Sequence, residues 1–138
     1  MGEGVGQLTY GLDTSVVMRL LTGDPPDQAD VAATFLVESR AAGDRLLVTD
    51  LVIAEVYFAL YSKYKVPKAE ALRRLREFVE SGEVEAGAAS QVLRIPSLAS
   101  AKPGFVDRLI HATYSNDQAR LVSFEKSVSK LAGAKMLS

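Results

Sequence analysis

Apolar residues along the chain alternate between short continuous runs and stripes that recur every three or four positions, the signature of strands interleaved with amphipathic helices. Leu8-Thr9-Tyr10-Gly11-Leu12 is the first run. It stops at Asp13 and turns into Val16-Val17-Met18-Arg19-Leu20-Leu21, a helix that Thr14 or Ser15 is placed to cap. Asp24-Pro25-Pro26-Asp27 marks a turn, with Asp24 the expected N-cap of a helix over 29–42 whose stripe is Val31, Ala32, Phe35 and Leu36 and whose end is Gly43. Leu46-Leu47-Val48-Thr49 has the unbroken apolarity of a strand covered on both faces. A helix pair over 51–64 and 68–81 follows, broken at Lys65-Val66-Pro67, then a short strand over 83–86 and a helical stretch over 88–100 that Pro96 interrupts. The remainder reads as a helix over 105–115, a strand at Leu121-Val122-Ser123-Phe124, a helical turn or two over 126–131 and an edge strand over 134–137.

Strands spaced by helices imply βαβ units with right-handed crossovers. The fold class expected is α/β, a three-layer α/β/α sandwich around a central, mainly parallel sheet of four to five strands. No internal repeat or linker divides the chain, so residues 1–6 are expected as a flexible N-terminus and 7–138 as a single domain.

Composition narrows the class. Hydrophobic residues make up 48% and no run approaches the roughly eighteen apolar residues a membrane span needs, so no membrane partner is expected. Met1-Gly2-Glu3-Gly4-Val5-Gly6 lacks the basic and apolar regions of a secretory signal, and there is no cysteine, so a reducing, cytoplasmic setting is expected. The net charge of −1 does not advertise a nucleic-acid binder, but setting four acids aside for a metal site leaves +3 on the remainder. Lys63, Lys65, Lys68, Arg73, Arg74 and Arg76 crowd fourteen residues, a run that is more often a solvated helix face than a phosphate track.

Four acids carry the candidate chemistry. Asp13 closes the first strand, and in an open α/β sheet ligands bind beyond the carboxyl ends of strands. Glu55 lies in Leu51-Val52-Ile53-Ala54-Glu55-Val56-Tyr57-Phe58, a helix so apolar that this carboxylate is expected to be covered and therefore paired, protonated or bound to a metal. Asp107 stands in the first turn of another apolar helix, where the helix dipole already favours an acid. Glu125 closes the penultimate strand as Asp13 closes the first, so neighbouring strand ends would bring the two together. Two carboxylates about 5 Å apart repel by roughly 3 kcal/mol at an effective dielectric near 20, so several together call for a divalent cation. Oxygen-only ligands, with no Cys and one His in the chain, select Mg²⁺ or Mn²⁺.

At this point the chain resembles the PIN domain family of the VapC-like toxin type. The resemblance is carried by Leu12-Asp13-Thr14-Ser15, Ile53-Ala54-Glu55-Val56-Tyr57-Phe58, Gly104-Phe105-Val106-Asp107-Arg108-Leu109 and Ser123-Phe124-Glu125-Lys126, in register from about Gln7 to the C-terminus. Glu125 departs from it, since the family more often has Asp there. The resemblance implies a metal-dependent endoribonuclease, the toxin of a toxin–antitoxin pair, with an RNA substrate, a VapB-like antitoxin partner and a homodimeric state. Asp13 and Asp107 would be direct ligands, with Glu55 and Glu125 holding a second ion or metal-bound waters and Thr14 and Ser123 supporting them. Arg108, His111 and Lys126 are candidate RNA contacts. Tyr57, Phe58, Tyr61, Leu75 and Phe78 are the candidate antitoxin groove, with plain core packing the competing explanation.

Other chemistries fit worse. A phospho-receiver wants acids beside Asp13, where Leu12 and Thr14 stand, and an Asp-x-Asp phosphatase fails at Ser15. Asp50 is explained by capping the helix that follows it. The serious rival is a catalytically weak PIN-like module that binds a partner protein or RNA without cleaving.

Overall fold

The computed structural model describes residues 7–138; the expected N-terminal tail, 1–6, lies outside them. Strand β1, Thr9–Gly11, leads through Asp13 into helix α1, Thr14–Thr22, which ends where Gly23 takes the left-handed conformation and its N–H bonds to Arg19 O. Helix α2, Pro26–Ala41, starts on proline with Pro25 in the capping position, so Asp24 does not cap it. Asp24 instead accepts a hydrogen bond from the Tyr64 hydroxyl at 3.3 Å. Strand β2, Arg45–Val48, pairs in parallel with β1, Tyr10 opposite Leu46. Leu46 and Val48 are buried and Leu47 half-buried, as a strand covered on both faces requires.

Helix α3, Asp50–Ser62, is capped by the Thr49 hydroxyl, which accepts from Val52 N–H. Ile53, Val56, Tyr57 and Leu60 turn one face into the core, while Leu51, Glu55 and Phe58 share the opposite stripe and stay exposed. Helix α4, Lys68–Val79, packs on α3 through a buried stripe of Ala71, Leu72, Leu75, Phe78 and Val79. Strand β3, Glu85–Ala86, extends the sheet on β2, again in parallel. Pro96 divides the next stretch as anticipated, into helix α5, Ala89–Val92, and a 3₁₀ turn, Leu98–Ser100. Helix α6, Phe105–Asn116, docks on α3 and α5, with the Phe105 ring edge-on to Tyr57 at 5.1 Å.

The α/β class and the parallel strand direction stand as expected, but the sheet is not one piece. Strands β1, β2 and β3 form one sheet, and β4, Val122–Ser123, pairs only with β5, Lys135–Met136, in a second one. A ladder two residues long buries little: Val122 and Phe124 remain exposed, and the 3₁₀ turn Lys126–Lys130 between the strands anchors through Val128 alone.

Candidate functional site

The carboxylates that the structure brings together are those of Asp13 and Glu55, and one residue joins them. Thr14 donates its backbone N–H to Asp13 Oδ1 at 2.7 Å and its hydroxyl to Glu55 Oε1 at 2.6 Å. Ser15 adds a hydroxyl to Asp13 Oδ2 at 3.2 Å. Leu12, buried directly before Asp13, and the packing of α1 on α3 fix this meeting of strand end and helix. The capping oxygen of α1 thus comes from Asp13 itself, leaving the Thr14 hydroxyl for Glu55. Glu55 is exposed, which corrects the expectation that its helix would cover it: α3 carries more apolar residues than the core can take, and its outward stripe is left to solvent.

Asp107 and Glu125 are placed apart from this pair. Asp107 is half-buried in the first turn of α6, and among the described residues no donor reaches its carboxylate. Glu125 is exposed at the start of the second 3₁₀ turn, where its own N–H donates to Ser123 Oγ at 2.9 Å. Among the described residues no three His, Cys, Asp or Glu side chains are grouped to hold a metal ion, so the expected gathering of residues 13, 55, 107 and 125 into one cage is not what the structure shows. The reason is the split sheet: the ends of β1 and β4 would be neighbours in one sheet and belong here to two.

Arg108 and His111 are engaged within the fold. Arg108 Nε donates to Pro103 O at 2.7 Å, and His111 Nε2 lies 2.7 Å from Ala132 O, tying the C-terminal segment to α6. Lys126 remains exposed. Of the five residues expected to line an antitoxin groove, Tyr57, Leu75 and Phe78 are core, because the facing stripes of α3 and α4 close on one another; burial pushes the Tyr57 phenol pKa up. Phe58 is exposed and Tyr61 half-buried.

Asp50 has a role that local pattern does not reveal. It is the first residue of α3, not its cap, and its carboxylate reaches across to accept the N–H groups of Ala88 at 3.1 Å and Ala89 at 2.9 Å at the start of α5. Gly87 leaves room for it, since a Cβ there would lie 3.1 Å from both carboxylate oxygens. The clue in the letters was an acid directly after Thr49, a residue that can itself cap the helix.

Against this geometry, residues 10–134 match the family model described as PIN domain. The chain belongs to the PIN domain family. PIN domains are generally nucleases. Among solved structures, one similar to this PIN domain is the crystal structure of VapBC2 from Rickettsia felis bound to a DNA fragment from their promoter, at 14% identity and a TM-score of 0.39, covering 94% of this chain and 97% of that one. No curated protein matches the sequence.

A hard divalent ion is the group such a domain implies, and the fit divides. Mg²⁺ is commonly held by one or two carboxylates, with waters and substrate phosphates completing its shell, and the exposed Asp13–Glu55 edge with its surrounding hydroxyls offers that donor set. Among the described residues a cage of three or more acids is not offered. The larger grooves lie elsewhere in the PIN domain. One of about 450 Å³ is lined by Leu12 and Ser15, which flank Asp13, together with Tyr10, Arg19 and Phe35. Another, about 500 Å³, runs between α3 and α6 past Leu51, Phe58, Ile110 and Tyr114.

Proposed function

We propose that this PIN domain is a Mg²⁺- or Mn²⁺-dependent endoribonuclease, the VapC-like toxin of a toxin–antitoxin pair, working as one unit over residues 7–138 in the cytoplasm. The observation that carries the reading is the Thr14 bridge, which fixes two carboxylates at a strand end of a nuclease fold. Asp13 and Glu55 would hold the ion, with Asp107, on the helix docked against α3, and Glu125 as the further candidates. When bound, such an ion neutralises charge on the scissile phosphodiester and lowers the pKa of a water.

The chain's own residues supply the rest. Thr14 orients Glu55, Ser15 and the Thr14 amide hold both oxygens of Asp13 in place, and the exposure of the pair admits a polymer that no closed pocket would take. A VapB-like antitoxin and a homodimeric state follow from the resemblance of the four acid segments.

The second reading, a PIN-like module that binds without cleaving, is favoured by one observation, the separation of Asp107 and Glu125 from the pair. Incubating purified protein with structured RNA and Mg²⁺ or Mn²⁺ decides between them. Cleavage by wild type that Asp13→Asn and Glu55→Gln abolish supports the nuclease. Equal cleavage by wild type and variants marks a contaminant, and then the binding module stands.

A further inference from the structure

The basic run of the α3–α4 segment divides in the structure into two parts with different chemistry. Its arginines are matched: Arg73 and Arg74 pair with Glu70, Arg73 also with Glu77 at 2.6 Å, and Arg76 with Glu80 at 3.4 Å. Its lysines are not. Lys63, Lys65 and Lys68 are exposed, and among the described residues none of them is in an ion pair. One of them, Lys68, meets an aromatic pair that reaches the surface, and Lys63 and Lys65 lie in the chain between that pair and Lys68. Phe58 is exposed, Tyr61 lies 5.7 Å from it, and the Lys68 ammonium sits 5.2 Å above the Tyr61 ring.

We propose that this face, Phe58 and Tyr61 with Lys63, Lys65 and Lys68, is the track that takes the unpaired strand of an RNA substrate next to the acid pair; the inference deepens the nuclease reading and rests on it for the identity of the polymer. Sequence-tolerant binding of single strands combines cations that follow the phosphates with ring faces on which bases stack. Both are present: α3 carries the rings in fixed register with Glu55, and the lysines follow at its end and at the start of α4. Glu55 and Phe58 lie on the same exposed stripe of α3, one turn apart, and Tyr61 is about 9 Å beyond Glu55 along the axis at the helical rise.

A strand with a phosphate at Asp13–Glu55 therefore runs its neighbouring bases over Phe58 and its next phosphates past the lysines. A duplex keeps its bases stacked inside and offers Phe58 nothing. An acidic protein partner would also satisfy the lysines and pack apolar side chains on Phe58; failure to bind single-stranded RNA is its mark in the test that follows.

Binding measured without divalent metal isolates the track from the chemistry. The probe is a fluorescein-labelled oligouridylate of about a dozen nucleotides, titrated in EDTA over a salt series and followed by anisotropy, beside the same strand annealed to oligoadenylate. Wild type is expected to prefer the single strand. The Lys63→Gln/Lys65→Gln/Lys68→Gln protein should lose on the order of 100-fold in affinity at 0.1 M salt, with a log–log salt slope shallower by about two, the release expected for three phosphate contacts. Phe58→Ala should lose roughly five- to hundredfold with the slope unchanged. All four side chains are at least partly exposed, so far-ultraviolet circular dichroism should show every variant folded.

Equal binding of single strand and duplex, or a lysine variant with the affinity and slope of wild type, overturns the proposal and leaves the face to a protein partner or to solvent. The two readings fail separately. Single-strand binding through the lysines without any Mg²⁺- or Mn²⁺-dependent cleavage keeps the track and sinks the nuclease; cleavage with lysine variants that bind undiminished does the reverse.

Discussion

Asp13, at the start of α1, and Glu55, within α3, stand beside residues closed to solvent, Leu12 before the one and Ile53 and Val56 around the other. Asp107 lies in the first turn of α6 and Glu125 just past β4, where Val122 and Phe124 are exposed. The first pair is joined by a hydrogen-bonded threonine; among the described residues no such bridge reaches the carboxylate of Asp107 or Glu125. A side chain is held by the backbone beneath it and by its own partners, so Asp13 and Glu55 are fixed by both, Asp107 by its helix, and Glu125 least of the four. If the nuclease reading is right, the joined half should dominate the chemistry.

The sharpest way to break that comparison is to remove one carboxylate from each half. Asp13→Asn should lower metal-dependent RNA cleavage by at least about 100-fold, the scale of several kcal/mol of lost charge stabilisation, while Glu125→Gln should cost far less. Asparagine caps helices as well as aspartate does, so the Asp13→Asn protein should keep its urea midpoint. Equal losses for the two variants in a single-turnover assay would erase the distinction between the halves.

Next in size is the bridge. Thr14→Val removes the hydroxyl from Glu55 and keeps the backbone donor to Asp13; cleavage should fall roughly 10- to 100-fold, as when a group that orients a metal ligand is lost, and Thr14→Ser should restore most of it. The discriminating readout is the Mn²⁺ concentration for half-maximal rate, which should rise in Thr14→Val and return in Thr14→Ser. An unchanged metal dependence would make Thr14 a helix residue and nothing more.

Asp50 sharpens the comparison from the side of stability. Asp50→Ala strands two N–H groups at the start of α5 and should cost about 1–3 kcal/mol by urea unfolding. Gly87→Ala alone should also destabilise, because its Cβ meets both carboxylate oxygens at 3.1 Å. In the double variant that clash is gone, so the two costs should fail to add, with a coupling of about 0.5–3 kcal/mol. Simple additivity would show that Asp50 and Gly87 do not constrain one another.

What could be read from the letters follows from the same physics. The order of elements and the parallel direction of the strands were legible because long periodic segments such as α3 and α4 fix their own faces and separate the strands by crossovers. The breadth of the apolar face of α3 hid the exposure of Glu55, since burial depends on what neighbouring elements can cover, and Leu51 and Phe58 went uncovered with it. The division of the sheet was illegible because two-residue ladders are settled by tertiary packing and not by local pattern. Asp50 was misread for a related reason: its partners lie 38 and 39 residues away, while capping rules see only the adjoining turn.

The smallest expected effect concerns the matched arginines, beside lysines that make no ion pair among the described residues. Hydrogen bonds from Arg73 and Arg74 hold the Glu70 carboxyl at about 2, well below its ordinary 4.5. A carboxyl lowered in the folded chain binds fewer protons than in the unfolded one, so its contribution is complete above about pH 4.5 and disappears as the pH falls towards 2. The group is exposed to solvent, and screening keeps the contribution modest. Wild type should therefore unfold at a slightly higher urea concentration than Glu70→Gln at pH 7, with the gap closing on acidification through that window and shrinking in 1 M salt. A gap that is constant from pH 7 to pH 2 would mean that Glu70 acts through packing, and the contrast between the paired arginines and the exposed lysines would then rest on geometry without the charge balance.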